Sequence, residues 1–385
     1  MTTGEPAGPL GLVVSGAAAR GPYEAGAVAE ILRHLPADRP LVLLGTSSGA
    51  ITVALLAQYA DDGTRAGERV AEVWARVHDV YTNPVRTLPA LGASLAARAA
   101  GLGGGRVSSV LDVAPLRAVA GREFDAELTA RIVGGPRVRS LAVAATVVPD
   151  RGAAARTRLF VAGAPPEPGT QHATDVVATR VEVEHLLASA AIPVLFPPVW
   201  VDTPGVSGWY VDGGVRLNAP LQEALRFGVS ELVVVSGHAL TPAPVPAQIA
   251  TPVPDLDLAA AVSVRAVLTD ALGDDIEALR RRHALVRDLA PDPLPDHLRP
   301  VPFRVVAPPD GELAALAGAA YRSRRRGPWD AAWGIDRLLA AGGDGPGRDE
   351  LLSLVLFDPD YAAAQIERGR AHARAVMARE PSEQG

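Results

Sequence analysis

Four branched apolar residues, Leu41-Val42-Leu43-Leu44, run without a break into Gly45-Thr46-Ser47-Ser48-Gly49, and helix-spaced apolar residues follow at once. A buried strand that reverses in a G-x-S-x-G turn and leaves as a helix is the local form of a nucleophile elbow. Few architectures contain one. The tight turn lifts Ser47 clear of the sheet. Glycine at Gly45 and Gly49 removes Cβ atoms that would collide where strand and helix pass close together. The free N–H groups and the positive dipole end of the following helix face the serine, where an oxyanion would form. The spacing alone recurs by chance, with a structural glycine turn as the alternative. It is the strand–helix context that favours a catalytic Ser47.

The rest of the chain alternates the same two signals. Gly11–Ser15 reads as a short buried strand. Gly16-Ala17-Ala18-Ala19-Arg20-Gly21-Pro22 is a tight loop of small residues, with Pro22 placed to open a helix whose apolar residues are Ala25, Val28, Ile31, Leu32 and Leu35. Leu41–Leu44 is the second strand and Ile51–Tyr59 the helix behind Ser47. Further helices are expected over Glu68–Val80, Leu88–Ala100, Val113–Val119 and Val183–Ala190. Strands are expected over Leu141–Val148, Thr157–Val161, Trp209–Val211, Glu231–Ser236 and Phe303–Ala307. Asn218 is placed to cap a helix running to Phe227. Leu256–Leu289 reads as one or two helices, and Leu351–Phe357 and Tyr361–Met377 as helical segments. This alternation predicts an α/β fold with a mainly parallel central sheet covered on both faces. One large domain accommodates the 385 residues. Its expected parts are a tail at 1–9, a catalytic core at 10–237 and a proline-rich loop at 238–255. A helical part at 256–379 completes the same domain, and a tail follows at 380–385.

Composition narrows the chemistry. A net charge of −6 and a pI near 5.8 leave no broad basic field for a nucleic acid. No apolar run reaches the roughly 18 residues of a membrane helix. The apolar stretch Leu10–Ala19 is preceded by Glu5 rather than by basic residues, so it reads as a first strand and not a leader, and a cytoplasmic protein is the expectation. Cysteine and lysine are both absent, so all 37 residues in the lysine-plus-arginine count are arginine. This removes thiol nucleophiles, thiolate metal sites, a P-loop lysine and a Ser–Lys dyad.

A serine hydroxyl is a weak nucleophile until a base takes its proton. Ser47, Asp212 and His238 fall in the order of an α/β-hydrolase triad. That fold needs several strands before its nucleophile strand. Each parallel strand with its crossover takes ~30 residues, so the 40 residues before Leu41 are too few. The alternative partner is Asp212 itself. Trp209-Tyr210-Val211-Asp212-Gly213-Gly214 puts a carboxylate at a strand's C-terminal end, where α/β sites assemble, and Gly213 and Gly214 let the backbone bend sharply. An aspartate capping its own turn is equally compatible with these six residues alone.

Three segments together go further. The loop Gly16–Gly21, the elbow Gly45–Gly49 and Asp212-Gly213-Gly214 stand in the order and context of the patatin-like phospholipases, which the chain resembles. Ser109–Leu116 is similar to the family segment after the elbow helices. Ala190–Val199, with A-I-P-x-L-F-P-P-V, is similar to the stretch before the aspartate strand. Leu354–Ala373, with L-x-L-F-D-P-D-Y and a turn at Glu367–Gly369, is similar to a C-terminal segment of bacterial members. The resemblance implies a three-layer α/β/α patatin-like fold and a Ser–Asp dyad hydrolase of lipid acyl esters. Ser47 would be the nucleophile and Asp212 the base, with no metal and no other cofactor. The oxyanion hole would come from the N–H groups of Ala17 and Ala18 together with Ser48. The implied substrate is a lipid or other acyl ester, with peripheral membrane contact and no nucleic-acid partner.

The chain departs from the family loop, which reads G-G-G-x-R-G where this one has Gly16-Ala17-Ala18-Ala19-Arg20-Gly21. Alanine keeps the N–H donor but adds a Cβ. A position needing positive φ would carry about 1–2 kcal/mol of strain. A negative φ would leave the donors intact. The first case gives an alternative function, a catalytically weak or inactive lipid-binding or regulatory protein. Arg20 matches the family's basic position, where it would steady the loop or approach a substrate phosphate. Gly103-Gly104-Gly105 reads as a flexible loop. Arg280-Arg281-Arg282 and Arg324-Arg325-Arg326 read as solvated faces, with anionic head groups as the alternative. Trp329 and Trp333 read as core, with a membrane-interface stripe as the alternative.

Overall fold

Strand β1 (Leu10–Val14) is buried at every position, because helices cover both faces of the sheet it centres. The structure is a computed structural model. It describes residues 8–78, 80–81, 92–93, 96–97, 100, 109, 111–149, 153–168, 174–241, 256–266, 271–289, 300–324, 326–327, 330–340 and 346–380. After β1 come α1 (Gly21–Arg33), β2 (Leu41–Thr46), α2 (Ser48–Gln58), α3 (Ala66–Arg76), α4 (Ala114–Glu123) and α5 (Ala126–Ile132). Next are β3 (Val138–Val147), β4 (Thr157–Gly163), β5 (Thr174–Ala178), α6 (Val183–Ser189), β6 (Val199–Val201), β7 (Gly208–Asp212), α7 (Leu221–Leu225) and β8 (Glu231–Val235). The remainder is α8 (Leu256–Arg265), α9 (Ala271–Leu289), β9 (Phe303–Val306), α10 (Glu312–Ser323), α11 (Ala331–Ala340), α12 (Pro346–Val355) and α13 (Pro359–Met377).

The sheet runs β5-β4-β3-β2-β1-β8-β9, with β7 also paired to β3 and β6 hung on β7. The five central pairing strands from β3 to β9 are parallel, while β4, β6 and β7 bring in antiparallel pairs. Alternate side chains sort into two cores, as the two-residue period of a strand requires. Leu10, Leu12 and Val14 pack with α1, α2 and α3 on one face. Val13, Val42 and Leu44 pack with α7 and α9 on the other. A third cluster, from Tyr81 and Phe196 to Ile335, Leu352 and Tyr361, joins the late helices to the segments around the strand ends. Strand β9 pairs with β8 in register Leu232↔Phe303, so the late part of the chain contributes to the same sheet.

The expected three-layer α/β/α fold with a mainly parallel sheet is therefore present. Several local expectations are corrected. The short strands β5 and β6 and the helices α5, α10 and α11 were not anticipated. Asn218 does not cap a helix to Phe227; α7 begins three residues later with Pro220 at its cap. Glu367–Gly369 is not a turn, for α13 runs straight through it. Gly369 is there because α13 crosses α1 so closely that a Cβ would lie 2.0 Å from the Tyr23 carbonyl oxygen. The tails at 1–7 and 381–385, most of Leu88–Ala100, Gly103–Gly105, 242–255, Arg325 and Trp329 lie outside the described residues.

Candidate active site

Ser47 links β2 to α2 at φ 54, ψ −124, a left-handed backbone that side chains rarely adopt. Such a conformation costs on the order of 1–3 kcal/mol and persists only where the surroundings hold it. Here the Ser47 N–H donates to Ser189 Oγ at 2.8 Å, and Ser189 Oγ donates to the Ala144 carbonyl at 2.6 Å. The elbow glycines fit the reason given for them. A Cβ on Gly45 would lie 2.4 Å from the Gly49 carbonyl oxygen, and one on Gly49 would lie 2.2 Å from that of Val14.

Strand β7 lies antiparallel to β3 in register Ala145↔Asp212, while β2 pairs with β3 at Thr46↔Ala144. Two neighbouring strand ends thus set Asp212 beside Ser47. The Ser47 hydroxyl donates to Asp212 Oδ2 at 2.7 Å. The other carboxyl oxygen, Oδ1, accepts the Gly214 N–H at 2.7 Å, so the D-G-G aspartate both caps its turn and faces the serine. Burial pushes the Asp212 carboxyl up to about 7, against the pull of the Ser47 and Gly214 hydrogen bonds. Gly213 is packed against β3, where a Cβ would lie 2.4 Å from the Ala144 carbonyl oxygen.

The loop before α1 departs from expectation. Ala17 has φ −144 and Ala18 has φ 53, so only Ala18 sits where glycine is favoured. The Ala17 N–H, expected to face the oxyanion, instead donates to Ser48 Oγ at 2.9 Å. The cause is the serine at position 48, which sets an acceptor against the loop. Ala18 stands beside Ser47, and its N–H has no acceptor among the described residues. Gly16 is fixed from the other side, its N–H donating to Asn218 Oδ1 at 3.1 Å. Gly21 opens α1 against the Trp74 ring.

Arg20 is corrected as a phosphate candidate. Its guanidinium is buried and directed away from Ser47, donating to Glu350 at 2.7 Å, to Ser353 and to the Gly237 carbonyl. His238 lies in the same cluster, with Nδ1 3.0 Å from Arg20 Nη1. Burial and the Arg20 charge hold its imidazole well below the ordinary histidine range. It belongs to the Arg20 clamp, not to a triad with Ser47. Arg326 is likewise internal, 2.6 Å from Asp358.

Two cavities meet at Ser47 and share the wall formed by Ala18, Ile192, Leu195, Leu354 and Val355. One is a narrow branch of about 70 Å³ that runs between α2, α3 and α4 along Leu55, Val73, Trp74 and Phe124. The other is a chamber of about 580 Å³, bounded by Asp212, Asn218, Val194, Val215, Val264 and Ile335. Both are predominantly apolar. Val194, on the chamber wall, has φ 71 and is 71% exposed. Among the described residues no group of three or more histidine and carboxylate side chains is arranged to hold a metal, and no helix is long and apolar enough to cross a membrane.

Sequence reasoning missed Ser189, Asn218 in its actual role, and Glu24, whose buried carboxylate accepts the Ser48 hydroxyl at 2.9 Å. Only Glu24 carried a signal, as an acid two residues past a helix-opening proline amid apolar neighbours.

A family model described as Patatin-like phospholipase matches residues 12–225, a span that contains the glycine–alanine loop, the elbow and the D-G-G turn. A search of curated proteins finds no match. The crystal structure of VipD from Legionella pneumophila aligns over 97% of this chain and 67% of that one, at 12% identity and a TM-score of 0.36. A likeness that loose carries no argument.

Proposed function

From the premise that this chain belongs to the patatin-like phospholipase family, we propose that it hydrolyses lipid acyl esters with Ser47 as nucleophile and Asp212 as its base. The observation that carries this reading is the 2.7 Å Ser47–Asp212 hydrogen bond at the junction of two apolar cavities. Ser47 Oγ attacks the ester carbonyl carbon while Asp212 Oδ2 accepts its proton. The tetrahedral oxyanion is met by the Ala18 N–H and by the Ser48 N–H at the start of α2, where helix donors lack intrahelical partners. Asp212 then gives the proton to the departing alcohol, leaving the acyl group on Ser47. Water attacks the acyl-enzyme as Asp212 takes its proton, and that proton returns to Ser47. A carboxyl held near 7 suits both roles at neutral pH better than an ordinary aspartate does. The narrow branch takes the acyl chain and the chamber the rest of the lipid.

The test is a fluorophosphonate label and a short-chain ester. Expected are an adduct on Ser47 and turnover lost at least a thousandfold in Ser47→Ala and Asp212→Asn, with folding preserved. Turnover that survives either substitution overturns the assignment.

One observation favours a second reading, a lipid-binding protein of low or no activity. The Ala17 donor is engaged by Ser48, and Ala18 is strained. Lipid binding by a folded protein that neither labels nor turns over would select it.

A further inference from the structure

Behind the loop and the elbow lies a hydrogen-bond chain that the mechanism above does not use. Glu24, on the first turn of α1, is fully buried, and its Oε2 accepts the Ser48 hydroxyl proton at 2.9 Å. Ser48 Oγ in turn accepts the Ala17 N–H at 2.9 Å. Ala17 is 1% exposed and Ser48 3%, so both bonds lie away from the protein surface. We propose that Glu24 is a positioning residue for the Ser47 centre, acting through Ser48 to set the direction of the loop that flanks the nucleophile. The proposal rests on the acyl-hydrolase reading of Ser47 and deepens it.

The chemistry of a hydroxyl makes the chain directional. Ser48 has one proton and two lone pairs. With its proton committed to Glu24, it presents a lone pair to the loop, and the Ala17 N–H turns inward to meet it. The next residue, Ala18, then reverses into φ 53 and keeps its own N–H free of any acceptor among the described residues. One buried carboxyl group, through Ser48, thereby ties together α1, the elbow and the loop. Burying a charged carboxylate is costly unless its hydrogen bonds compensate. Burial pushes the Glu24 carboxyl well above its ordinary range, with the Ser48 hydroxyl pulling the other way.

Glu24 touches neither cavity, so its removal bears on the reacting atoms and not on substrate binding. Removing an oxyanion donor outright costs roughly 10²–10³ in kcat. A donor that is displaced but not deleted should cost less, about 10- to 100-fold. The experiment measures kcat and KM on a soluble ester for the full-length protein and for Glu24→Leu, Glu24→Gln, Ser48→Ala and the double variant Glu24→Leu/Ser48→Ala. Expected is a kcat loss of that size in Glu24→Leu and Ser48→Ala with KM within about twofold. Glu24→Gln, which keeps an acceptor for Ser48, should recover to within about threefold of native. The double variant should be no worse than the poorer single, because both break one chain. Should Glu24→Leu not fold, Ser48→Ala and Glu24→Gln still decide. Native kcat in Ser48→Ala, or losses that multiply in the double variant, overturn the proposal while leaving Ser47 chemistry standing. A native protein without Ser47-dependent turnover or labelling overturns both.

Discussion

Ala18 and Ser47 face each other across the site, and both hold a positive φ without being glycine. At Ala18 the strain of about 1–2 kcal/mol outweighs the ~0.4–1 kcal/mol that a glycine adds to the entropy of the unfolded chain. Ala18→Gly should therefore raise stability in urea by up to about 1 kcal/mol. Ala17→Gly, at φ −144, has no strain to relieve and should lower it by about as much. Asp212 gives a second residue-scale prediction. In its proposed role as base its carboxyl must be ionised to take the Ser47 proton, so kcat/KM should rise with pH through about 7 and then level. Stability moves the opposite way. Raising the folded-state value from the ordinary 3.8 to about 7 makes the native protein lose stability as pH climbs between those limits. Asp212→Asn should gain in Tm over native across that window and hold a constant lead above it. The sequence made Ser47 and Asp212 legible because each sits in a turn with its own glycine pattern. Ser48, Asn218 and Ser189 were opaque as partners because their bonds span 31, 202 and 142 residues, which no local pattern records.

At the scale of elements, the crossing of α1 and α13 bears directly on the site. Gly26 and Gly369 let the two helices touch backbone to backbone: a Cβ on Gly26 would lie 2.2 Å from the Ile366 carbonyl oxygen. Gly369→Ala must push α13 away from the helix that carries Glu24, with an expected loss of about 1–3 kcal/mol by chemical denaturation. The control is Gly121→Ala on α4. Nothing there lies within 4 Å of the added methyl, so better helix propensity should stabilise by about 0.5–1 kcal/mol. The same contact explains why a glycine inside a long helix read as a turn in the sequence. The sequence shows that glycine interrupts good helix formers but not which neighbour requires it. The strands β5 and β6 were missed for a related reason. They are short pieces at the margin of the sheet whose pairing supplies what their own residues do not.

At the scale of the whole molecule, strand–helix alternation was enough to predict a three-layer sheet protein, because period and turn chemistry repeat along most of the chain. The junction of two cavities was not foreseeable, since their shared wall draws on segments near residues 18, 47, 192 and 354. Each methylene housed in an apolar branch contributes up to about 0.8 kcal/mol. A Leu55→Trp side chain that displaces two or three should cut hydrolysis of long-chain esters by roughly ten- to fiftyfold, in line with that increment. Acetate ester turnover should stay within about twofold. Equal losses on both would show that the branch does not hold the acyl chain.

The Arg20 clamp gives the assembly an order in time. The loop beside Ser47 is held by Ser353 and Glu350 through Arg20, and by Gln365 through the Ala19 carbonyl, contacts that span 333, 330 and 346 residues. Ser47 and Asp212 are synthesised long before those residues leave the ribosome. A nascent chain thus carries the proposed nucleophile and base with the loop still unfastened, and the candidate site is completed only when the last helices dock.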